Sequence, residues 1–153
     1  MSEFKFEGGQ ALEAALLQLP QAASKRVARF ALTKAAKPIE AMAASLAPDD
    51  PATGAPDLHR SMKTAAVRNA GRSRSSKFVG SDQVEVHVGP TADAYPQALL
   101  REFGHRDRAG GWVAASPYMR PAWDMEGGLK ALDRIKQPLW DAIKRAAARA
   151  KKG

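Results

Sequence analysis

The alternation Val84-Glu85-Val86-His87-Val88, closed by Gly89-Pro90, is the feature that most narrows the fold. Valines two residues apart share one face of an extended chain and leave Glu85 and His87 on the other. The segment therefore reads as a strand whose apolar face covers a core. Towards both ends of the chain the period changes to three and four residues. One clear strand in the middle, flanked by helical stripes, fits an α+β fold in which a small antiparallel sheet packs against a long N-terminal helix and a C-terminal helix.

Leu12, Ala15, Leu16 and Leu19 recur at helical steps over residues 10–19 and predict a short amphipathic helix. Before it, Phe4 and Phe6 alternate with Glu3, Lys5 and Glu7 as a short strand would, and Gly8-Gly9 frees the backbone between the two. A second helix is expected after Pro20, with Ala23, Val27, Phe30, Ala31 and the stem of Lys34 inward and Lys25, Arg26, Arg29 and Lys37 in water. Pro38 removes a helical hydrogen bond and clashes with the preceding turn. A kink or break is expected there before Ile39, Met42 and Leu46 resume the stripe.

Residues 47–57 are dense in Pro, Gly and Asp and read as a loop. Residues 58–67 suggest a strand, with Leu58, Arg60, Met62 and Thr64 opposite His59, Ser61, Lys63 and Ala65. Leu99 and Phe103, four apart, mark a short helix over 95–103 that Gly104 is placed to end. Residues 105–115 read as a moving loop rich in Gly and charge. Ser116-Pro117 supplies a helix start, Gly127-Gly128 a break, and Leu129, Leu132, Ile135, Leu139, Trp140 and Ile143 the inner stripe of a last helix with a basic end over residues 144–152.

The length of 153 residues suits one domain spanning 1–153, and 44% hydrophobic residues can bury a core. Much of that fraction is Ala and only 7% is aromatic, so the core should be thin. The lack of cysteine excludes disulfides and thiolate chemistry. No apolar run approaches the roughly 20 residues that cross a bilayer, and no secretion signal is evident, so a soluble chain without a membrane partner is expected.

A net charge of +8 allows attraction to nucleic acid, an anionic membrane or an acidic protein. Between Asp57 and Asp82 no acidic residue occurs, whereas Arg60, Lys63, Arg68, Arg72, Arg74 and Lys77 do, with Gly71 and serines among them. This reads as a mobile basic loop, centred on 68–77, that is solvated, meets an acidic neighbour or meets phosphates. Without interleaved aromatics it offers no stacking platform for single strands.

His59, His87 and His105 have no partner at the spacing of a helical metal pair, and no phosphate-cradling loop or nucleophile elbow is present. Glu102, His105 and Asp107 are close in sequence, but nothing in their spacing makes them converge. No enzyme activity is expected. Trp140 fits the helical core stripe, whereas Trp112 and Trp123 are candidates for a contact between subunits.

Four signatures also occur in fixed order: Phe6-x-Gly8 before a Leu-rich helix (Leu12, Leu19); Pro48 with Thr53-Gly54, then Leu58 and Ser61; Val88-Gly89, Tyr95 and Glu102-Phe103-Gly104; and Pro117-Tyr118-Met119-Arg120-Pro121-Ala122. In this order the chain resembles the neck or tail-completion proteins of long-tailed bacteriophages, the family typified by gene product ten of phage HK ninety-seven. The resemblance runs from Phe6 to about Ala122. It departs from the family pattern at Ala55-Pro56-Asp57, which separates Thr53-Gly54 from Leu58, and at Arg101, where a hydrophobic residue is usual.

The resemblance implies a structural assembly protein of the head–tail junction of a phage, prophage or gene transfer particle, without a cofactor. Implied partners are further copies in a hexameric ring, head-completion proteins, tail-terminator or tail-tube proteins, and non-specific contact with packaged DNA. The implied location is the virion neck or tail top, after assembly in the host cytoplasm. A stand-alone nucleic-acid-binding module is the competing reading. Glu102, Phe103, Gly104, Tyr118, Arg120, Pro121 and Trp123 are the candidate structural or subunit-contact residues: Phe103 as a buried ring, Gly104 at a positive φ, and the Arg120 guanidinium as a partner for the Glu102 carboxylate.

Overall fold

In a computed structural model, residues 9–48, 58–66 and 84–150 are described. The expected strand at Phe4–Phe6, the Thr53-Gly54 loop and Arg68, Arg72, Arg74 and Lys77 of the basic loop lie outside them. The fold is α+β. Helices α1 (Gly9–Leu17) and α2 (Gln21–Leu46) are followed by a 3-10 turn at Leu58–Ser61 and strands β1 (Met62–Ala66) and β2 (Val86–Pro90). A second 3-10 turn (Ala92–Ala94) leads to α3 (Gln97–Phe103), the short strands β3 (His105–Arg106) and β4 (Trp112–Val113), and helices α4 (Met119–Glu126) and α5 (Gly128–Ala150).

Helix α2 is the spine. Its buried residues Val27, Ala31, Ala35, Ile39 and Ala43 recur every four positions, which makes a single i+4 ridge along the helix. Alanine at three of these five places lets neighbouring helices approach closely. Of the kink or break expected at Pro38, the break does not occur: α2 runs through the proline as one helix. Residues on both sides of the proline are buried, and that packing outweighs the roughly 3 kcal/mol that an interior proline costs.

The ridge serves two apolar clusters. Near the C-terminal end, Ile39, Ala43 and Ala47 pack with Leu58, Met62, Ala94, Ala98, Tyr118 and Ala122. Near the N-terminal end, Val27 and Ala31 pack with Leu12 of α1 and Leu139, Ala142 and Ile143 of α5. Ala131, earlier in α5, packs on the first cluster, so α5 runs antiparallel to α2. The α1–α2 turn is tied by the Ser24 hydroxyl, which donates to the Leu16 carbonyl at 3.0 Å. That carbonyl, beyond the reach of α1's own ladder, also accepts the Leu19 N–H at 3.1 Å.

Strands β1 and β2 pair antiparallel, with Met62 opposite Pro90 and Ala66 opposite Val86. The strand expected from residue 58 begins only at Met62, because Leu58–Ser61 coils into a 3-10 turn that buries both Leu58 and Ser61. The Ser61 hydroxyl donates to the Leu58 carbonyl at 2.6 Å, and the Ser61 carbonyl accepts the Thr91 N–H at 2.9 Å. From Met62 onward the expected alternation holds.

Several large side chains lie outside the cores predicted for them. Phe30 is exposed, with the Arg145 guanidinium over its ring at 5.3 Å, and Lys34 is also exposed. Trp140 is 37% accessible and carries the Lys144 ammonium at 5.7 Å from its centroid. Leu129 and Leu132 are exposed too. Many of the buried places on these helices go to alanine, as at Ala31, Ala35, Ala43 and Ala142, and Phe30 and Trp140 are left on the rims.

Candidate functional site: the α3–α4 clasp

Helix α4 begins with N–H groups that no helical carbonyl can take. The Glu102 carboxylate, from the last turn of α3, accepts them. Its Oε2 receives the N–H of Tyr118 at 2.8 Å and of Met119 at 3.0 Å, and its Oε1 receives the N–H of Arg120 at 3.1 Å. The next residue, Pro121, has no N–H to satisfy, and the Ala122 N–H reaches the Tyr118 carbonyl at 3.3 Å. The α4 N-terminus is thus paired with one side chain, and the carboxylate charge sits at the positive end of the helix dipole.

This geometry corrects two expectations. The helix start is capped by Glu102 from another element, not by Ser116, whose N–H instead donates to the Arg101 carbonyl at 2.7 Å. Glu102 and Arg120 do meet, but through the Arg120 backbone. The guanidinium makes no ion pair with Glu102 and points into solvent. A carboxylate already holding three backbone donors has little remaining use for a guanidinium.

Tyr118 locks the clasp from beneath. It is 1% accessible, the largest fully buried side chain among the described residues, and its hydroxyl donates to the Ala98 carbonyl of α3 at 3.3 Å. Burial, with the Glu102 charge beside it, pushes the phenol up to about 12. Loss of its proton would put a second negative charge in an apolar interior.

Gly104 ends α3 with φ +74° and ψ 169°, a conformation that a β-carbon disfavours. A β-carbon there would also lie 2.8 Å from the Val113 carbonyl oxygen and 3.0 Å from both the Ala115 nitrogen and the Trp112 ring. The expectation for Gly104 therefore holds. Residues 105–115, expected as a moving loop, form the β3–β4 hairpin, with His105 opposite Val113 and Arg106 opposite Trp112. Asp107 closes its turn by accepting the Gly111 N–H at 2.7 Å. Asp107 followed by Gly110-Gly111 and the strand-prone Trp112-Val113 was the available signal for it.

Phe103 is 69% accessible, contrary to the buried ring expected of it. The α3 face turned to the core carries Ala98 and Glu102, which leaves Leu99 and Phe103, four residues apart, on the outer face. Tyr95 is exposed too, but it lies in the extended segment before α3, which begins at Gln97 and not at Tyr95 as the sequence suggests. Trp112 stands beside Gly104 and is also exposed, as is Trp123 on α4. Trp123 packs against Gly127, where an added β-carbon would lie 2.6 Å from its ring, and this explains the small residue at the α4–α5 break.

Arg60 sits in the 3-10 turn and Lys63 on the exposed face of β1. A second basic group, outside the expected loop, surrounds a groove of about 650 Å³ between α2 and α5. Arg26, Arg145 and Arg149 rim a floor of Val27, Phe30, Ala142 and Ala146. Among the described residues no three His, Asp or Glu side chains gather as a metal site would require, and no helix is long and apolar enough to cross a membrane. Glu102 is engaged with backbone donors and is not directed at His105 or Asp107.

No protein-family model matches the chain, and neither a curated protein nor a solved structure does.

Proposed function

We propose that this chain is a structural assembly protein of the head–tail junction of a long-tailed phage, a prophage or a gene transfer particle. The observation that carries the reading is the coupling of two separated signatures. Glu102 of Glu-Phe-Gly holds the backbone of Tyr118, Met119 and Arg120 in the Pro-Tyr-Met-Arg-Pro-Ala run, a joint that uses the Glu102 carboxylate, the Tyr118 ring and the missing N–H of Pro121. The joint is mechanical: it fixes a helix start and leaves aromatic side chains in solvent, the arrangement of a part that builds by contact. Its partners in this reading are further copies in a hexameric ring, head-completion proteins and tail-terminator or tail-tube proteins. Packaged DNA passes nearby. The role needs neither catalysis nor a cofactor, and the place of action is the virion neck or tail top.

Assembly is the test. Particles made without this protein should accumulate as separate heads and tails, and density for the chain should encircle the junction of complete ones. Junctions that complete and lack that density would overturn the reading.

The arginine-rimmed groove favours a second reading, a stand-alone nucleic-acid-binding module that uses Arg26, Arg145 and Arg149. Duplex titrations at several salt concentrations separate the two. A functional DNA site keeps micromolar affinity at physiological salt, with a log–log slope of about −0.9 per neutralised phosphate. A merely basic surface releases DNA on modest salt.

A further inference from the structure

Two apolar surfaces on this chain lie open at opposite ends of α2. One surrounds α3: Leu99 and Phe103 on its outer face, Tyr95 just before the helix and Trp112 on the hairpin beside Gly104, with the aromatic members 68%, 69% and 67% accessible. The other is concave: a groove of about 950 Å³ between α1, the start of α2 and α5, whose apolar lining includes Leu12, Leu16, Leu17, Leu132, Ile135 and Leu139. The groove meets α2 at Ser24, Lys25 and Ala28, whereas α3 packs near Ala43 through Ala94 and Ala98. At 1.5 Å per residue these sites are roughly 25 Å apart along the helix, too far for a chain to fill its own groove.

Resting on the assembly reading above, we infer that the Tyr95–Leu99–Phe103–Trp112 ridge of one copy seats in the α1–α5 groove of the next. Area supports this occupant. An aromatic side chain buries about 150–250 Å², so two-thirds of three of them offers roughly 300–500 Å². That is about half of the roughly 800 Å² each partner contributes to a standard interface, and Leu99 adds to it.

Symmetry supports it further. Ridge on ridge would leave the groove open, and groove on groove would leave the ridge wet. A head-to-tail contact covers both with one interface and repeats from copy to copy, as closed rings require. Each copy carries a net charge of +8, so copies repel at low ionic strength and the contact strengthens as salt screens them. DNA binding has the opposite salt dependence.

The absence of cysteine makes the test direct. Phe103→Cys and Leu132→Cys change exposed side chains and should leave the fold intact. The two full-length variants are mixed at high concentration and treated with a short bismaleimide, with Ala148→Cys, exposed but outside both surfaces, as the control partner. The expected result is a Phe103–Leu132 product at least tenfold above the Phe103–Ala148 product, increasing with salt. A mixed product no greater than the control, or Phe103→Cys linking chiefly to itself, would overturn the contact. If particles still need the protein when the cross-link fails, the assembly reading stands without this interface. Particles that complete without the protein, alongside a strong cross-link, would leave the interface standing and overturn the assembly reading.

Discussion

The two ends of α2 are closed by different means. At the C-terminal end, 3-10 turns, a strand and two helices converge on Ile39, Ala43 and Ala47, with Tyr118 filling the middle and Glu102 pairing the polar edge. At the N-terminal end, only helices meet, through Leu12, Val27, Ala31, Leu139, Ala142 and Ile143, and grooves open on both sides. Short alanine-rich contacts hold helices close but cover little area. A closed core here takes a large side chain inside and a polar group that finishes the nearest helix end.

Truncation should expose the contrast most strongly. Tyr118→Ala removes a fully buried ring from surroundings held on several sides, and should cost about 3–5 kcal/mol in chemical denaturation. Leu12→Ala should cost about 2 kcal/mol, at the low end for its type, because the open groove beside it allows the site to collapse. Equal losses at the two positions would erase the distinction.

High pH should act on one end only. Tyr118 is held neutral in the folded chain up to about 12, whereas in the unfolded chain it ionises near 10. The folded state therefore retains a proton that the unfolded state releases. The stability this contributes is complete below pH 10 and is lost as pH rises towards 12, by about 2–3 kcal/mol in all. Tyr118→Phe should flatten that part of the pH–stability curve. A curve of unchanged slope would mean that the phenol is not what titrates.

How far this architecture can be read in advance depends on whether a feature repeats. The α2 stripe and the valine alternation from Val84 are periodic. Val27, Ala31 and Ile39 are buried as the first pattern puts them and Val86 and Val88 lie in β2, whereas Phe30 and Lys34 are exposed and the strand begins at Val86, not at Val84. Size and apolarity favour an inward place for Phe30 and Trp140, yet interhelical closeness selects Ala31 and Ala142. Glu102 is recognisable as special but not in its role. Its partners are backbone N–H groups 16 to 18 residues away, which leave no complementary side chain in the sequence. Arg120 looks like that partner because charge is visible in a sequence and an unpaired helix end is not.

Glu102→Ala tests that joint with a smaller effect. It leaves three N–H groups without their acceptor, and loss of a helix cap typically costs about 0.5–2 kcal/mol; with a charged acceptor the upper part of that range is expected. Arg120→Ala should change stability by less than about 0.5 kcal/mol, since the backbone donor survives the substitution. Amide exchange adds local resolution: protection should fall at Tyr118, Met119 and Arg120 in the Glu102 variant and stay unchanged in the Arg120 variant. Similar destabilisation by both would restore the side-chain pair that the geometry replaces.

The smallest effect on the isolated chain should come from Phe103→Ala. A ring this exposed forfeits little burial, so the change should remain within about 0.5 kcal/mol, far from the roughly 3–5 kcal/mol that a core phenylalanine would lose. Its neighbour Gly104 keeps the Val113 and Ala115 backbone close only because it has no β-carbon, which the substitution does not change. The same variant should nevertheless impair particle completion, because an exposed aromatic beside a rigid joint gains its value only when a partner dries it. A stable Phe103→Ala protein that assembles normally would place the ridge outside the working surface. A strongly destabilised one would mean that the outer face of α3 belongs to the core and that the two ends of the molecule are more alike than the clasp implies.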